Sequence, residues 1–239
     1  MSVKDWILDG LFPPTCIGCD ADRIWLCDDC LKTIDLRVQA SCPQCGHFPW
    51  SSHPCEGEWE FASFISLGSY TDPILQKLLR SYKYHRARCV EPIFPLLIKR
   101  FRGQFREIWP WPETEAIVTS LPMDANRLRE RGLDHAAFLA DAVQSVLLPH
   151  AIRRTVLRRV KQVVANASLD DISLRPANMK GVFGVTEKIS LPVILVDDVC
   201  TTGATAREAT RILLAQGVPE VHLFTFASGV KVKKEAGGY

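Results

Sequence analysis

The feature that most restricts how this chain folds is the string at residues 193–205, which reads Val-Ile-Leu-Val-Asp-Asp-Val-Cys-Thr-Thr-Gly-Ala-Thr. Four consecutive apolar residues are typical of a strand that is buried on both faces. Two acids follow directly, and the segment then passes into a helical pattern at 204–216. A buried strand that turns at its carboxyl end into a helix is the unit from which helix-covered parallel sheets are built. The string therefore predicts an α/β fold.

Patterns typical of strands and of helices alternate along much of the remaining chain. Strand patterns cover 61–70, 116–121, 152–157 and 221–226, and helical patterns cover 72–82, 89–102 and 135–148. Strands that alternate with helices of this length predict a parallel sheet with helices on both faces. Such sheets bind ligands at the carboxyl ends of their strands, and that is where the acids of the string fall.

The turn after this strand has the composition of an anion site. A helix start presents free N–H groups and a partial positive charge, so backbone amides there hold a phosphate, and threonine hydroxyls add further donors. A glycine lets the anion approach the backbone closely. The residues of this candidate site are Thr201, Thr202, Gly203, Ala204 and Thr205. The alternative is a strand-end turn with a helix N-cap and no ligand.

The two acids before the turn, Asp197 and Asp198, are suited to the hydroxyls of a ribose. They can bind it directly or through magnesium, which prefers one or two carboxylates together with substrate oxygens. Cys200 lies between the acids and the threonines, and no histidine stands near it in sequence to activate it. We interpret this cysteine as a packing residue.

The thirteen residues at 193–205 resemble the signature of type I phosphoribosyltransferases, in which hydrophobic residues precede two acids and a Thr-Thr-Gly loop. The resemblance implies that Asp197 and Asp198 bind the ribose of phosphoribosyl pyrophosphate with magnesium, and that residues 201–205 bind its 5-phosphate. The implied reaction displaces pyrophosphate at the anomeric carbon. Arg127, Arg129 and Arg131 follow the strand pattern at 116–121, where arginine forks suit a pyrophosphate. A solvated helix face is the alternative for them.

Seven of the nine cysteines lie between residues 16 and 55, mostly in Cys-x-x-Cys pairs. Two intervening residues let both thiolates turn toward one ion, so this spacing predicts a structural zinc ribbon. One complete ligand set is Cys16, Cys19, Cys27 and Cys30. A second has Cys42, Cys45 and Cys55, with His47, His53 or Glu58 as candidates for the fourth donor. In an alternative arrangement, which the spacing leaves open, the first and third Cys-x-x-Cys pairs bind the same zinc ion.

Together these features resemble the ComF family of competence proteins, also called GntX-like proteins, which join a cysteine-rich zinc module to a type I phosphoribosyltransferase domain. The segments on which the resemblance rests are Arg131-Gly-Leu-Asp-His135, Lys83-Tyr84 and Arg175-x-x-Asn178 leading to Phe183. The resemblance implies a role in natural transformation, with imported single-stranded DNA or a competence helicase as partner. The chain departs from the family pattern near Glu58, where a zinc-ligand cysteine is replaced, and at four further positions, Asp134, His135, Val164 and Ala167. The resemblance implies that departures of this kind affect contacts to the acceptor or pyrophosphate and leave the ribose-phosphate residues intact.

A second interpretation makes the chain a non-catalytic adaptor that retains the ligand pocket and contacts DNA or a helicase through its zinc module. The exposed strip for this role would be Arg153, Arg154, Arg158, Arg159 and Lys161. His135 is the candidate general base for the enzyme, against an ordinary packing role at a helix start. We favour the enzyme, and we favour the packing role for His135.

The chain divides into a helix and zinc-ribbon module at 1–58, a phosphoribosyltransferase domain at 59–230 and a flexible tail at 231–239. The net charge of +2 is close to neutral and does not by itself indicate a nucleic-acid or membrane partner. Because apolar runs of 18 residues are lacking and the start has no signal-peptide core, we predict a cytoplasmic protein that does not insert into membranes.

Overall fold

A five-stranded parallel sheet forms the centre of this protein in a computed structural model that describes residues 13–36, 60–84, 87–108, 115–161 and 180–229. The strands along the chain are β1 (Ser63–Ser69), β2 (Ile117–Ser120), β3 (Ile152–Arg153), β4 (Leu157–Arg159), β5 (Phe183–Val185), β6 (Val193–Cys200) and β7 (Val221–Ser228). Their order in the sheet is β1-β7-β6-β2-β3, with every pair parallel. β4 and β5 form a separate antiparallel ribbon.

The helices cover both faces of the sheet. They are α1 (Asp28–Thr33), α2 (Pro73–Tyr84), α3 (Ala87–Val90), α4 (Ile93–Ile108), α5 (Ala125–Arg131), α6 (His135–Leu147) and α7 (Ala204–Ala215). One apolar cluster joins Leu78 of α2, Leu97 of α4 and Leu139 of α6 to the sheet. A second cluster joins α7 to the opposite face, through Leu213. The predicted fold class is therefore confirmed: a parallel sheet flanked by helices follows an N-terminal cysteine-rich segment.

The strand at the start of the 193–205 string occupies the middle of the sheet. β6 pairs with β7 on one side and with β2 on the other, so that Val193 aligns with both Val221 and Ile117. All four residues at 193–196 are buried. A strand between two neighbours and two layers of helices has no polar face, which explains its unbroken apolar run.

Two predicted elements differ in extent from those observed. The helical pattern at 89–102 is divided between α3 and α4, because Pro92 has no N–H group to continue α3 and a new helix begins at Ile93. The strand pattern at 152–157 is interrupted after Arg153, since the Val156 N–H group turns to the Thr119 hydroxyl, 3.3 Å away. The chain then leaves the sheet and pairs with β5, which the sequence did not predict.

The predicted division at residue 58 stays a prediction, because residues 37–59 lie outside the described segments. The predicted tail at 231–239 lies outside them as well. Among described residues, no helix combines the length and apolar character needed to cross a membrane.

Candidate functional site

The first candidate site is a four-cysteine knuckle made by Cys16, Cys19, Cys27 and Cys30. Their sulfur atoms all lie within 4.8 Å of one another. Cys27 is the N-cap of α1, and its sulfur accepts a hydrogen bond from the Cys30 N–H group at 3.4 Å. Four thiolate donors at this separation suit tetrahedral zinc. The structure thus brings the first two Cys-x-x-Cys pairs together, in agreement with the four-cysteine ligand set predicted from the sequence.

Backbone groups prepare the most buried sulfur of this knuckle for a metal. The Cys27 N–H group donates to the Cys16 sulfur at 3.3 Å. Burial acts to raise the pKa of Cys16, but backbone donors, with the Cys27 N–H foremost, outweigh burial and lower the pKa to about 6. A sulfur stabilised as thiolate is the form that binds zinc. The second predicted set, with Cys42, Cys45 and Cys55, lies outside the described residues.

The knuckle is attached to the helices of the sheet domain. The Arg100 guanidinium of α4 donates to the carbonyl oxygens of Leu31 and Lys32, at the end of α1. The Asp35 N–H group donates to Asp72 at 3.0 Å, and the same carboxylate caps α2. Cys16 and several apolar neighbours belong to the main apolar cluster of the sheet; these neighbours are Leu26, Ile34 and Leu36. The knuckle and α2 are therefore one packed unit.

The second candidate site is the acidic pair, Asp197 and Asp198, near the carboxyl end of β6. Asp197 aligns with Thr225 of β7 and accepts a hydrogen bond from the Asp198 N–H group at 2.9 Å. Burial, followed by the neighbouring charge of Asp198, raises the pKa of Asp197 to about 8. Two carboxylates held this close repel each other when both are ionised. Ionisation of both carboxyls is therefore favoured only when a cation offsets their repulsion.

Lys83, at the last turn of α2, supplies one such cation. Its ammonium nitrogen lies 2.7 Å from Asp198 Oδ2. The preceding residue, Tyr82, is fully buried and donates a hydrogen bond from its hydroxyl to the carbonyl oxygen of His135 at 2.9 Å. This contact ties the end of α2 to the start of α6. The sequence linked Lys83 with the family pattern, but it did not place Lys83 at the acidic pair.

The predicted anion loop follows β6 directly. Gly203 has a φ of 67° and is the N-cap of α7, which has no side-chain cap at this end. The Thr202 hydroxyl accepts from the Ala204 N–H group at 3.4 Å, a long and weak contact. Thr201 is exposed, and Thr205 is half-buried in the first turn. The loop is thus a glycine turn that presents threonine hydroxyls and amides at a helix start.

Cys200 has the packing role that the sequence predicted. It is 3% exposed and belongs to the apolar cluster under α7. Burial, reinforced by the charge of Asp197, raises the pKa of Cys200 to about 12. The side chain is therefore a neutral thiol at physiological pH and a poor nucleophile.

The predicted basic segment forms α5, which follows β2. Asp124 caps its start by accepting from the Asn126 N–H group at 3.0 Å, and Gly132 ends it with a φ of 70°. Because β2 and β6 are hydrogen-bonded neighbours, α5 and the anion loop extend from the same edge of the sheet. Arg127 and Arg129 are exposed, and Arg131 is half-buried. The arrangement brings three arginines to the sheet edge that carries the acidic pair.

Arg159 is a residue of this edge that sequence analysis assigned elsewhere. Its Nε donates to the Pro122 carbonyl oxygen at 3.0 Å, and its guanidinium lies 5.3 Å from the centre of the Phe183 ring. Burial lowers the pKa of Arg159, while the charges of Asp124 and Asp197 act in the opposite direction. It therefore ties the β4–β5 ribbon to the loop after β2, within the field of the acidic pair.

The basic strip proposed for the adaptor is mostly engaged in internal contacts. Arg153 pairs with Asp141 at 2.6 Å, and Arg154 lies 3.5 Å from Glu187. Arg159 is half-buried against the loop described above. Only the remaining two members, Arg158 and Lys161, are exposed residues for which the described segments record no ion pair. The strip is not a continuous positive surface.

His135 opens α6 as a buried side chain, 2% exposed. Its ring meets the Tyr82 ring edge-on, with 4.6 Å between the centroids. Neither ring nitrogen has a hydrogen-bond partner among the described residues. Burial and then the charge of Arg131 lower the pKa of His135, so the ring is neutral at physiological pH. These contacts agree with the packing role that the sequence favoured. Val164, Ala167, Arg175 and Asn178 lie outside the described segments.

The fold and the sites together define a class of protein: an α/β protein with a zinc ribbon before a parallel sheet that bears an acidic pair and a helix start at one edge. In agreement with the cysteine knuckle, the sequence model of the double zinc ribbon domain matches residues 7–58.

Relatives with assigned names extend over most of the chain. DNA utilization protein YhgH of Salmonella typhi is 28% identical, over 83% of this chain and 88% of the relative. Competence protein F of Haemophilus influenzae is 26% identical, over 89% and 96%. Competence protein ComFC of Bacillus subtilis is 23% identical, over 87% and 92%. Over most of its length the chain is therefore similar to proteins named for competence and DNA utilization, as the sequence resemblance indicated.

Similar solved structures include two large enzymes. One is described as the allosteric regulatory enzyme of purine biosynthesis, with 16% identity and a TM-score of 0.39. The other is the glutamine phosphoribosylpyrophosphate amidotransferase of B. subtilis, with 17% identity and a TM-score of 0.40. Each alignment covers 62% of this chain and 30% of the enzyme, so the chain spans less than a third of the length of either.

Proposed function

We propose that this protein binds phosphoribosyl pyrophosphate with magnesium at the carboxyl edge of its sheet and acts as a phosphoribosyltransferase. The observation that carries the proposal is the position of the acidic pair, Asp197 and Asp198, directly before a glycine turn into α7. Two neighbouring groups of opposite character, carboxylates and helix-start amides, match a ligand that has both a ribose diol and a phosphate.

The 5-phosphate is assigned to the loop of residues 201–205. Gly203 has a positive φ, which an L side chain adopts only with strain, and its lack of a Cβ lets an anion approach the backbone. The N–H groups of Ala204 and Thr205 and the hydroxyls of Thr201 and Thr202 supply the donors. The helix-start dipole adds favourable electrostatic energy for an anion.

The ribose hydroxyls and the magnesium ion are assigned to Asp197 and Asp198. Carboxylate oxygens at a solvent-reached strand end are ligands that magnesium accepts, so the residues present fit this ion. When bound, magnesium neutralises the pyrophosphate group and orients it. The raised pKa of Asp197 supports the assignment, because a cation at this position would offset the effects of burial and of the Asp198 charge that disfavour ionisation of Asp197.

The leaving pyrophosphate is assigned to α5, with Arg131 as the principal residue and Arg127 and Arg129 on the same helix. The bond between the anomeric carbon and the pyrophosphate oxygen breaks, its electron pair leaves with pyrophosphate, and a bond forms between the anomeric carbon and the acceptor. The protein positions the groups and neutralises charge, so the step needs no protein nucleophile. The neutral thiol of Cys200 and the buried ring of His135 agree with this division of roles.

The cellular role that we propose follows the names of the relatives, which are competence and DNA-utilization proteins. We infer a cytoplasmic protein that takes part in natural transformation, with single-stranded DNA or a competence helicase as partner. A reducing compartment suits the cysteine knuckle, because paired cysteines there hold zinc and do not form disulfides. The rival adaptor role is weakened by the internal pairing of Arg153, Arg154 and Arg159.

Calorimetric titration of the full chain with phosphoribosyl pyrophosphate and magnesium tests the binding proposal. We expect saturable binding that weakens at least 100-fold in the double variant Asp197→Asn plus Asp198→Asn, because two charge-assisted contacts are lost. The control removes two negative charges from the surface, Asp29→Asn plus Glu187→Gln, and should bind as the unmodified protein does. Equal affinity of the acidic-pair variant and the control would refute the site.

Turnover is tested separately, by release of pyrophosphate when purine, pyrimidine and amine acceptors are supplied. Release above the level of the acidic-pair variant supports the enzyme. Tight binding of a single-stranded oligonucleotide, with no pyrophosphate release from any acceptor, supports the adaptor. A steep loss of that binding with salt would identify contacts to DNA phosphates.

A further inference from the structure

We propose that Lys83 is an internal counter-ion of the acidic pair, which holds the cation position at Asp198 until a phosphorylated ligand arrives. While Lys83 holds this position, the site excludes free divalent cations. It accepts the metal as a complex with the ligand. This inference rests on the proposed function for the identity of that ligand. The exclusion of free metal by Lys83 is a property of the ligand-free protein and is tested without the ligand.

The geometry places Lys83 where a metal ion would bind. Its ammonium nitrogen is 2.7 Å from Asp198 Oδ2, and the two side chains are only 23% and 17% exposed. At this burial, salt screens the pair less than it screens surface charges.

The backbone that carries Lys83 is held at both ends of α2. At its start, the Asp72 carboxylate accepts from the N–H groups of Ile74 and Leu75 and also from Asp35, next to the cysteine knuckle. At its end, buried Tyr82 is bonded to the backbone of His135. The ammonium is therefore delivered to Asp198 by a fixed helix, and not by a mobile surface loop.

Electrostatics then decides which cations enter. A free divalent ion must share Asp198 with an ammonium or displace it into solvent, and both events cost free energy. A metal complexed with a pyrophosphate ester brings its own negative oxygens. The flexible four-carbon stem of lysine lets the ammonium move from Asp198 to those oxygens, so that Asp198 becomes available to the metal. Lys83 exchanges one anionic partner for another and remains paired throughout.

Binding of Mn²⁺ alone, measured by electron paramagnetic resonance of the free ion, tests the exclusion. In the absence of any phosphorylated ligand, we expect Lys83→Met to bind Mn²⁺ at least tenfold more tightly than the unmodified chain. Arg80→Met is the matched control, because it removes an exposed positive charge from the same helix. It should leave Mn²⁺ affinity unchanged. Lys83→Gln provides a second variant should Lys83→Met fail to fold, as judged by its thermal melt.

A second substitution locates the gained site. Adding Asp198→Asn to Lys83→Met should remove the tenfold gain if the metal binds at the acidic pair. Mn²⁺ affinity of folded Lys83→Met or Lys83→Gln that equals that of the unmodified chain would overturn the inference. A gain that survives Asp198→Asn would overturn it too.

The result is separable from that of the proposed function. Should the unmodified chain fail to bind phosphoribosyl pyrophosphate while Lys83→Met gains Mn²⁺ affinity, the proposed function fails and the counter-ion role stands. Should the ligand bind while Lys83→Met gains nothing, the counter-ion role fails and the proposed function stands.

Discussion

The cysteine knuckle and the acidic pair are assembled in opposite ways. The four sulfurs of the knuckle come from residues 16–30, a segment of fifteen residues whose spacing alone brings them within 4.8 Å. The acidic pair receives its neighbours from distant segments, with Lys83 more than one hundred residues away in sequence. The knuckle concentrates donors that a bound metal satisfies. The acidic pair places two carboxyls side by side, where burial and mutual repulsion disfavour their ionisation. Such an arrangement is typical of a ligand-binding site.

The largest expected effect is the loss of one knuckle ligand. Cys30→Ser removes a thiolate, and zinc contributes about 10 kcal/mol or more to the folding of small zinc modules. Because Cys16 and Leu26 belong to the main apolar cluster, the loss should also lower the melting temperature of the sheet domain. Zinc content per chain and thermal melts measure the effect. We expect one zinc ion fewer than in the unmodified protein.

Cys89→Ser is the control for this substitution, since Cys89 is an exposed cysteine of α3 away from the knuckle. It should keep the full zinc content and change stability by no more than about 0.5 kcal/mol. Equal zinc content in Cys30→Ser and Cys89→Ser would show that the knuckle does not bind the ion.

The acidic pair should respond in the opposite direction, because Asp197→Asn is expected to stabilise the protein. The folded-state pKa of Asp197 is about 8, above the ordinary value of 3.8. Below pH 4 both states carry the proton and the group has no effect. Between pH 4 and pH 8 the unfolded chain loses the proton while the folded chain keeps it, so the acid increasingly destabilises the fold. Above pH 8 the penalty is constant.

Urea unfolding between pH 4 and pH 9, in magnesium-free buffer, measures this difference. The stability gained by Asp197→Asn should grow up to about pH 8, with a slope of at most about 1.4 kcal/mol per pH unit, the limit for one proton. Asp29→Asn makes the same chemical change at a side chain that is 94% exposed and serves as the control. A gain that falls as pH rises would contradict the prediction.

The smallest expected effect comes from a substitution inside the knuckle, Gly18→Ala. A Cβ at Gly18 would stand 2.5 Å from the Cys30 sulfur and 2.9 Å from its Cβ. Gly18→Ala should therefore displace a zinc ligand and weaken zinc binding about tenfold, the lower range for changes around a metal site. Competition with a chromophoric chelator measures the affinity.

Gly103→Ala is the matched control, because a Cβ at Gly103 would have no atom of the described residues within 4 Å. Gly103 lies inside α4, so alanine there should stabilise the protein by about 0.5 to 1 kcal/mol without altering zinc affinity. Undiminished zinc affinity in Gly18→Ala would mean that the knuckle backbone adapts to a Cβ at this position.

Elements that depend on local contacts could be predicted most completely from the sequence. The helix pattern at 204–216 predicted α7 nearly to its ends, and the apolar run at 193–196 predicted the start of β6, which continues to Cys200. Prediction was least complete where a strand ends for a tertiary reason, as at Arg153. There the hydrogen bond between the Val156 N–H group and the Thr119 hydroxyl directs the chain into the β4–β5 ribbon. Because these residues are 37 positions apart, the local sequence pattern does not predict the contact.

The site shows the same division. The sequence by itself determined the knuckle, the acidic pair and the glycine turn, because spacing within a few residues defines which groups face one ion or one phosphate. Only the tertiary structure placed Lys83 on Asp198 and Arg159 against the loop after β2. These contacts depend on the order of strands in the sheet and on how helices pack across it. Long-range packing of this kind joins segments that are distant in sequence, and the pattern of one segment does not predict which other segment it contacts.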